Sequence, residues 1–181
     1  MKKTLVTIMA SLIGIAASAA TYNWSAESSW ISPDDNDGLS GAKFYLFDGS
    51  IYNSATVMAA LSTGTDQLSN ALGSGTVTAD GELMFYGSGI TGAGDPESVS
   101  AFGIIIADGT DSKQYMYLAD TASSIKITDA IKAGSRAAFA FGDIVTGEVG
   151  SGSWTAVAPE PTSGLLLLLG MAGLALKRKR A

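Results

Sequence analysis

The sequence predicts one mainly β domain, an antiparallel sandwich or jelly-roll-like fold with one or two short helices, flanked by a signal peptide and a C-terminal transmembrane tail. Three observations predict this class. Short runs of aromatic and β-branched residues recur between residues 21 and 158, Gly, Asp and Ser separate them, and few segments have helical periodicity. Many short strands at close spacing favour two packed sheets over a parallel α/β sheet.

The N-terminus has the parts of a secretory signal peptide in their usual order. Lys2 and Lys3 supply positive charge, residues 5–17 form a mostly apolar stretch, and small residues follow. The small residues at the positions that signal peptidase reads are Ala17 and Ala19, or Ser18 and Ala20. We therefore expect a signal peptide over residues 1–20, with cleavage at Ala19 and Ala20.

Six runs between the two ends are the main strand candidates: residues 42–48, 82–89, 101–108, 113–120, 124–128 and 136–143. Weaker candidates are residues 21–25, 75–80 and 151–158. Apolar and small residues alternate in Phe139-Ala140-Phe141, as in a half-buried strand. Ile104-Ile105-Ile106 is continuous instead, which is typical of a strand buried on both faces.

Turn residues predict how these runs connect. Residues 108–113 predict a hairpin in which Gly109 supplies a positive φ, and Asp80-Gly81 predicts a second hairpin. Residues 54–61 predict a two-turn helix after a Ser cap, and residues 66–72 a short helix closed by Gly73. A further helical turn is predicted at 129–132.

Composition excludes several classes of function. Residues 21–158 contain 16 Asp and Glu against 5 Lys and Arg, a formal charge of −11, while the whole chain is at −6. Proteins that bind nucleic acid have basic surfaces, so a body this acidic makes nucleic-acid binding very unfavourable. The chain has no Cys and no His, so it carries no disulfide, no Ser-His-Asp triad and no His or Cys zinc site. We expect no cofactor.

The C-terminus combines a stiff motif, an apolar run and a cluster of cations. Pro159-Glu160-Pro161 favours an extended backbone, which suits either a protease cleft or a plain linker. Residues 164–176 carry no charge, but as a helix they would span only about 20 Å of a roughly 30 Å hydrocarbon core. The four cations that follow are Lys177, Arg178, Lys179 and Arg180. They favour a short membrane span with its C-terminus on the cytoplasmic side.

This order of elements resembles the PEP-CTERM sorting signal of Gram-negative bacteria. The resemblance covers Pro159 to Ala181 only. It implies Pro159, Glu160 and Pro161 as the recognition motif, 164–176 as the span and 177–180 as the basic stop. It also implies processing by an exosortase, an integral membrane protease-transpeptidase, and a link to exopolysaccharide. The expected organisation is a signal peptide (1–20), an exported β-rich domain (21–157) and a sorting signal (158–181).

The body offers only weak signs of chemistry. Asp34, Asp35 and Asp37 supply clustered oxygen ligands of the kind Ca²⁺ prefers, but an EF-hand spacing is not met and a solvated turn is the stronger interpretation. No catalytic residue is predicted. Three hypotheses follow: a non-enzymatic surface or matrix protein, which we favour; a carbohydrate-binding module with Trp24, Trp30 and Trp154 as stacking candidates; and a carboxylate-based glycoside hydrolase.

Overall fold

A computed structural model of the protein describes residues 19–33 and 38–158. The strands are β1 (Thr21–Ser28), β2 (Trp30–Ser32), β3 (Lys43–Asp48), β4 (Gly73–Thr76), β5 (Leu83–Thr91), β6 (Ser98–Asp108), β7 (Gln114–Lys126), β8 (Arg136–Ala140), β9 (Asp143–Val145) and β10 (Thr155–Ala156). Two short helices, α1 (Ser54–Ser62) and α2 (Asp129–Lys132), connect them. The predicted mainly β class with short helices is therefore confirmed.

Besides a two-stranded sheet of β2 and β9, the strands form two packed sheets. One has five strands in the order β10-β7-β6-β3-β4, and the other has three in the order β5-β1-β8. The main core lies between them, because Trp24 and Phe139 of the small sheet join Phe44, Leu46 and Ile105 of the large sheet in one buried cluster. The architecture is that of a β-sandwich.

Two strand pairings differ from the predicted antiparallel arrangement. β8 runs parallel to β1, and β9 runs parallel to β2. The β1–β8 and β2–β9 pairs have the same register, although each chain segment is interrupted between its two strands. Glu27 pairs with Ala140 before the interruption, and Trp30 pairs with Asp143 after it. The parallel direction arises because α2 carries the chain from the end of β7 to the end of the small sheet at which β1 begins.

Strand β6 lies at the centre of the large sheet and is buried on both faces, as its continuous isoleucines predict. Ile105 belongs to the core between the sheets. Ile104 and Ile106 belong to a second cluster on the opposite face, where Val57 and Leu61 of α1 cover the sheet. The molecule thus has three layers, two sheets and one helix.

Several local predictions were wrong. The candidates 113–120 and 124–128 are parts of the single thirteen-residue strand β7. Asp80-Gly81 turns the chain from one sheet to the other, because β4 pairs with β3 and β5 pairs with β1. In place of a helix over 66–72 there is one 3₁₀ turn, Leu68–Asn70, and Gly73 begins β4.

Two predictions about turns and caps also need correction. The hairpin between β6 and β7 is present, but the positive φ falls on Ser112, at 64°, and not on Gly109. Gly109 is small for another reason, since a Cβ there would lie 2.6 Å from Cε2 of Tyr115. The cap of α1 is Asn53, whose side chain accepts a hydrogen bond from Thr56 N–H at 3.3 Å.

Glycines in the strands provide space for aromatic rings. A Cβ on Gly73 would lie 2.8 Å from Cη2 of Trp24, and a Cβ on Gly87 would lie 2.5 Å from its Cζ2. A Cβ on Gly103 would overlap the ring of Phe44. A side chain at any of these positions would displace these rings from their places in the core.

A buried carboxylate fixes one end of the sandwich. Asp48 is 1% exposed and ends β3. Its Oδ1 accepts hydrogen bonds from the N–H and the hydroxyl of Ser50, at 2.9 and 2.6 Å. Its Oδ2 accepts from Thr91 N–H at 2.8 Å, on the last residue of β5. Because Asp48 belongs to β3 and Thr91 to β5, the bond between them connects the two sheets. The three donors together compensate the burial of the carboxylate.

Replacement of Gly103 by Ala should destabilise the fold by about 2–3 kcal/mol, because the added methyl group has no room beside Phe44. Guanidinium denaturation of the full chain in a non-ionic detergent would measure this loss. Combining Gly103→Ala with Phe44→Leu should cost less than the two single changes together, since the smaller side chain relieves the overlap. Strict additivity would contradict this account of Gly103.

Replacement of Asp48 by Ala should cost about 2–3 kcal/mol, because the part-buried N–H of Thr91 loses its acceptor and the buried carboxylate leaves a space. The matched control is Asp66→Ala. Asp66 accepts the same kind of local bond, from Leu68 N–H at 2.8 Å, but at an exposed site. This control should cost less than about 1 kcal/mol in the same denaturation experiment. Equal losses in the two variants would exclude a bridging role for Asp48.

Candidate functional site

Most of the site residues predicted from the sequence lie outside the described residues. These are the sorting motif Pro159, Glu160 and Pro161, the basic stop 177–180, and the calcium candidates Asp34, Asp35 and Asp37. The predicted signal cleavage site lies just before β1, at the exposed Ala19 and Ala20. The carbonyl oxygen of Ala20 accepts a hydrogen bond from Gly92 N–H at 2.8 Å.

The tryptophans proposed as sugar-stacking residues are mainly structural. Trp24 is 1% exposed and Trp154 is 6% exposed, so neither ring presents a face to solvent. The indole N–H of Trp24 donates to Ser88 O at 3.2 Å, and that of Trp154 to Gly147 O at 3.3 Å. Trp30 is half-buried beside Gly81. The structure therefore assigns Trp24 and Trp154 to the core.

The outer face of the small sheet carries a different set of outward-facing side chains, which we call the outer platform. Because Trp24, Phe85 and Phe139 point into the core, the alternate residues of each strand point outward. These are Asn23, Ser25 and Glu27 on β1, Met84, Tyr86 and Ser88 on β5, and Arg136, Ala138 and Ala140 on β8. Small residues on β1 and β8 make the platform flat.

A stacked aromatic–cation pair lies on this platform. The guanidinium carbon of Arg136 is 4.5 Å from the ring centroid of Tyr86, a cation–π distance. The pair spans β1, on which Ser25 lies directly opposite Tyr86 and is only 8% exposed. Tyr86 itself remains 66% exposed and Met84 74% exposed. An aromatic surface and a cation are thus presented side by side.

A groove of about 530 Å³ borders the platform at the other end of β1. Glu27 and Glu82 both line it, together with Ser28, Met84 and Ala140. The structure brings together here two carboxylates that lie far apart in the sequence. They are the first pair to consider for the hydrolase hypothesis, which requires two neighbouring carboxyl groups.

A second groove, of about 390 Å³, lies where the chain leaves the body toward the C-terminal tail. Val157 N–H donates to Gln114 O at 2.8 Å, and Ala158 N–H to Leu61 O at 3.2 Å. Leu61, Leu68 and Val157 give this groove apolar walls. We call it the tail-exit groove.

The hairpin beside the tail-exit groove holds a small polar cluster. Lys113 Nζ lies 3.0 Å from Asp111 Oδ2, and the hydroxyl of Tyr115 donates to the same oxygen at 3.0 Å. The hydrogen bond from Lys113 lowers the pKa of the Asp111 carboxyl below its ordinary value, and Tyr115 lowers it further. The hydrogen bond that the Tyr115 hydroxyl donates to Asp111 raises the pKa of Tyr115.

Charges of both signs lie at the two ends of the body. β7 has thirteen residues, so its ends are up to about 40 Å apart. Near its first residue, at the tail-exit end, lie Asp66, Asp108, Asp111 and Lys113. At the opposite end lie the cations Lys126, Lys132 and Arg136 together with Glu97 and Asp129.

The fold and the platform define a mainly β, two-sheet protein with a flat, exposed aromatic–cationic face. Comparison with protein-family models and with curated proteins found no match. Among the described residues there is no group of three or more His, Cys, Asp or Glu side chains placed to hold a metal ion. No helix within 19–33 and 38–158 is both long and apolar enough to cross a membrane.

Sequence reasoning missed the pair of Tyr86 and Arg136, which are fifty positions apart. The only signal for it was alternation, since Phe85 and Phe139 at core positions place their neighbours on the outer face. Detecting the pair also required the parallel register of β8 with β1, which no local sequence feature predicts.

The polar cluster at the β6–β7 hairpin predicts a measurable titration. Because the folded-state pKa of Asp111 is lowered, the stabilisation from this carboxylate is present above its unfolded pKa and is lost as pH falls through the folded value. Carboxyl-carbon NMR of the full chain should show the midpoint of Asp111 rising toward the ordinary range in Lys113→Met. Lys126→Met, which removes an exposed cation at the far end of β7, should leave it unchanged. Equal midpoints in the wild type and Lys113→Met would refute this cause.

Proposed function

We propose that the protein is an exported cell-surface or extracellular-matrix protein of a Gram-negative bacterium, sorted through its C-terminal tail. Its role is structural or adhesive and non-enzymatic, in an exopolysaccharide or biofilm setting. The expected processing partners are signal peptidase and an exosortase-type membrane protease, and the body is exposed to exopolysaccharide after release from the inner membrane.

The observation that carries this proposal is the order of elements at the C-terminus. Pro159-Glu160-Pro161 precedes an uncharged run at 164–176, and the cluster at 177–180 ends it. Four adjacent cations would hold the C-terminus on the cytoplasmic side and place the body outside. A signal peptide over residues 1–20 supplies the export step that this orientation requires.

The structure of the body is compatible with processing at both ends. β1 begins at Thr21, so signal cleavage after Ala19 or Ala20 would leave it whole. β10 ends at Ala156, and Ala158 is still bonded to Leu61, so removal of the tail beyond this point breaks no described strand. Both cuts would release the described sandwich with its two sheets intact.

A second candidate function is that of a carbohydrate-binding module in the same matrix. The specific observation in its favour is the exposed ring of Tyr86 on the flat outer platform. Aromatic rings with a polar edge stack on sugars through their apolar face. The hydrolase alternative would depend on Glu27 and Glu82, and loss of glycan cleavage on their replacement would be needed to sustain it.

The intact mass of the protein recovered from its native host tests the proposed sorting. A mass that ends near residues 158–164 is expected, and replacing Pro159-Glu160-Pro161 by three alanines should abolish that cleavage and leave the chain running to Ala181. The matched control replaces the neighbouring Thr162 and Ser163 by alanines, which should leave cleavage in place. A mass that extends to Ala181 in every form would mean a permanent anchor and would overturn the sorting proposal.

A further inference from the structure

We propose that the outer platform binds a carboxylate-bearing polysaccharide, with Tyr86 stacked on a sugar ring and Arg136 paired with a sugar carboxylate. This inference deepens the proposed function and rests on it in one respect, namely that the body is exported into a polysaccharide matrix. The ligand class itself is argued from the platform alone.

The first step is the state of Arg136. Its side chain is exposed, and within the described residues it forms no ion pair and donates no hydrogen bond. Its one described interaction is with the ring of Tyr86, over which the guanidinium carbon lies 4.5 Å from the centroid. Stacking restricts the guanidinium while leaving its N–H edge free, and that edge matches a carboxylate with two parallel hydrogen bonds.

The second step is the shape of the surface around this pair. Asn23 and Ser88 flank Arg136 in one row of the sheet, and Ser25 and Ala138 lie in the row of Tyr86. None of these side chains is large enough to form a wall, so an extended polymer can cross the strands. The exposed Met84 lengthens the apolar strip along β5.

The third step is the choice between an acidic and a neutral ligand. With a formal charge of −11 over residues 21–158, the body as a whole opposes a polyanion, so an acidic ligand must be held by local contacts. Exposed charges of both signs, Lys132 and Asp129 of α2, precede Arg136 on the chain. Arg136 can pair with a carboxylate through two parallel charge-assisted hydrogen bonds, whereas a neutral sugar offers it only hydroxyl groups.

Glu27 adds a direction to this site. It lies on the platform opposite Met84, one outward row beyond Tyr86 on the side away from Arg136. Its carboxylate would repel the acidic group of a sugar placed there. A bound polymer is therefore expected to direct its carboxylate toward Arg136, and Glu27→Gln should strengthen binding.

Affinity electrophoresis of the full chain in a non-ionic detergent tests the proposal, with polygalacturonate in the gel as the probe and dextran as the neutral comparison. Polygalacturonate should retard the protein and dextran should not. Arg136→Gln and Tyr86→Ala should each weaken the apparent affinity about tenfold, and Arg136→Lys should weaken it less. Lys43→Gln changes the net charge equally at a distant exposed site, and polygalacturonate should retard it as strongly as the wild type, each compared with its own mobility in a gel without polymer.

Four results would overturn the proposal. These are no retardation by polygalacturonate, equal retardation by dextran, equal loss of affinity in Lys43→Gln and Arg136→Gln, and self-association of the chain that disappears in Arg136→Gln. The last would assign the platform to a second copy of the chain. None of them depends on processing of the tail, so failure here is distinguishable from failure of the mass measurement.

Discussion

The spacing of the two sheets depends on aromatic rings that occupy positions where neighbouring strands have only glycine. The indole of Trp24 reaches Gly73 of the large sheet and Gly87 of the small sheet, and its N–H is satisfied by Ser88 O. Phe44 fills the space over Gly103 in the same way. Without disulfides, the sandwich relies on this close fit, and it leaves little freedom for either set of residues.

This constraint also shapes the outer surface. The large rings of β1, β5 and β8 point into the core, and most of the outward-facing residues of β1 and β8 are small. The resulting sheet face is flat, and a long side chain such as Arg136 can lie across β1 to reach Tyr86. The flat face and the stacked pair are thus consequences of how the core is packed.

The sequence predicted the fold class and most of the strands because period and turn residues are local signals. The isoleucines of β6 predicted burial on both faces, and the hairpin before β7 was correct. Strand pairing was less predictable. Asp80-Gly81 forms a tight turn whether or not the strands on its two sides pair with each other. In the structure they do not, because β4 pairs with β3 and β5 pairs with β1.

The role of the strand glycines could not be predicted for a related reason. Gly87 lies in the strand candidate 82–89, but only the structure shows that it is small because Trp24 needs its space. The sequence cannot distinguish a glycine needed for backbone conformation from one needed for packing. The candidate site was hidden by the same limit, since Tyr86 and Arg136 meet only through a third strand.

The position of the platform relative to the tail connects the two proposals. Arg136 begins β8 at the end of the sandwich where β7 finishes, whereas Val157, just before the tail, bonds to Gln114, where β7 starts. A body held by its tail would therefore present Tyr86 and Arg136 away from the point of attachment, within reach of a matrix polymer before the tail is cut as well as after it.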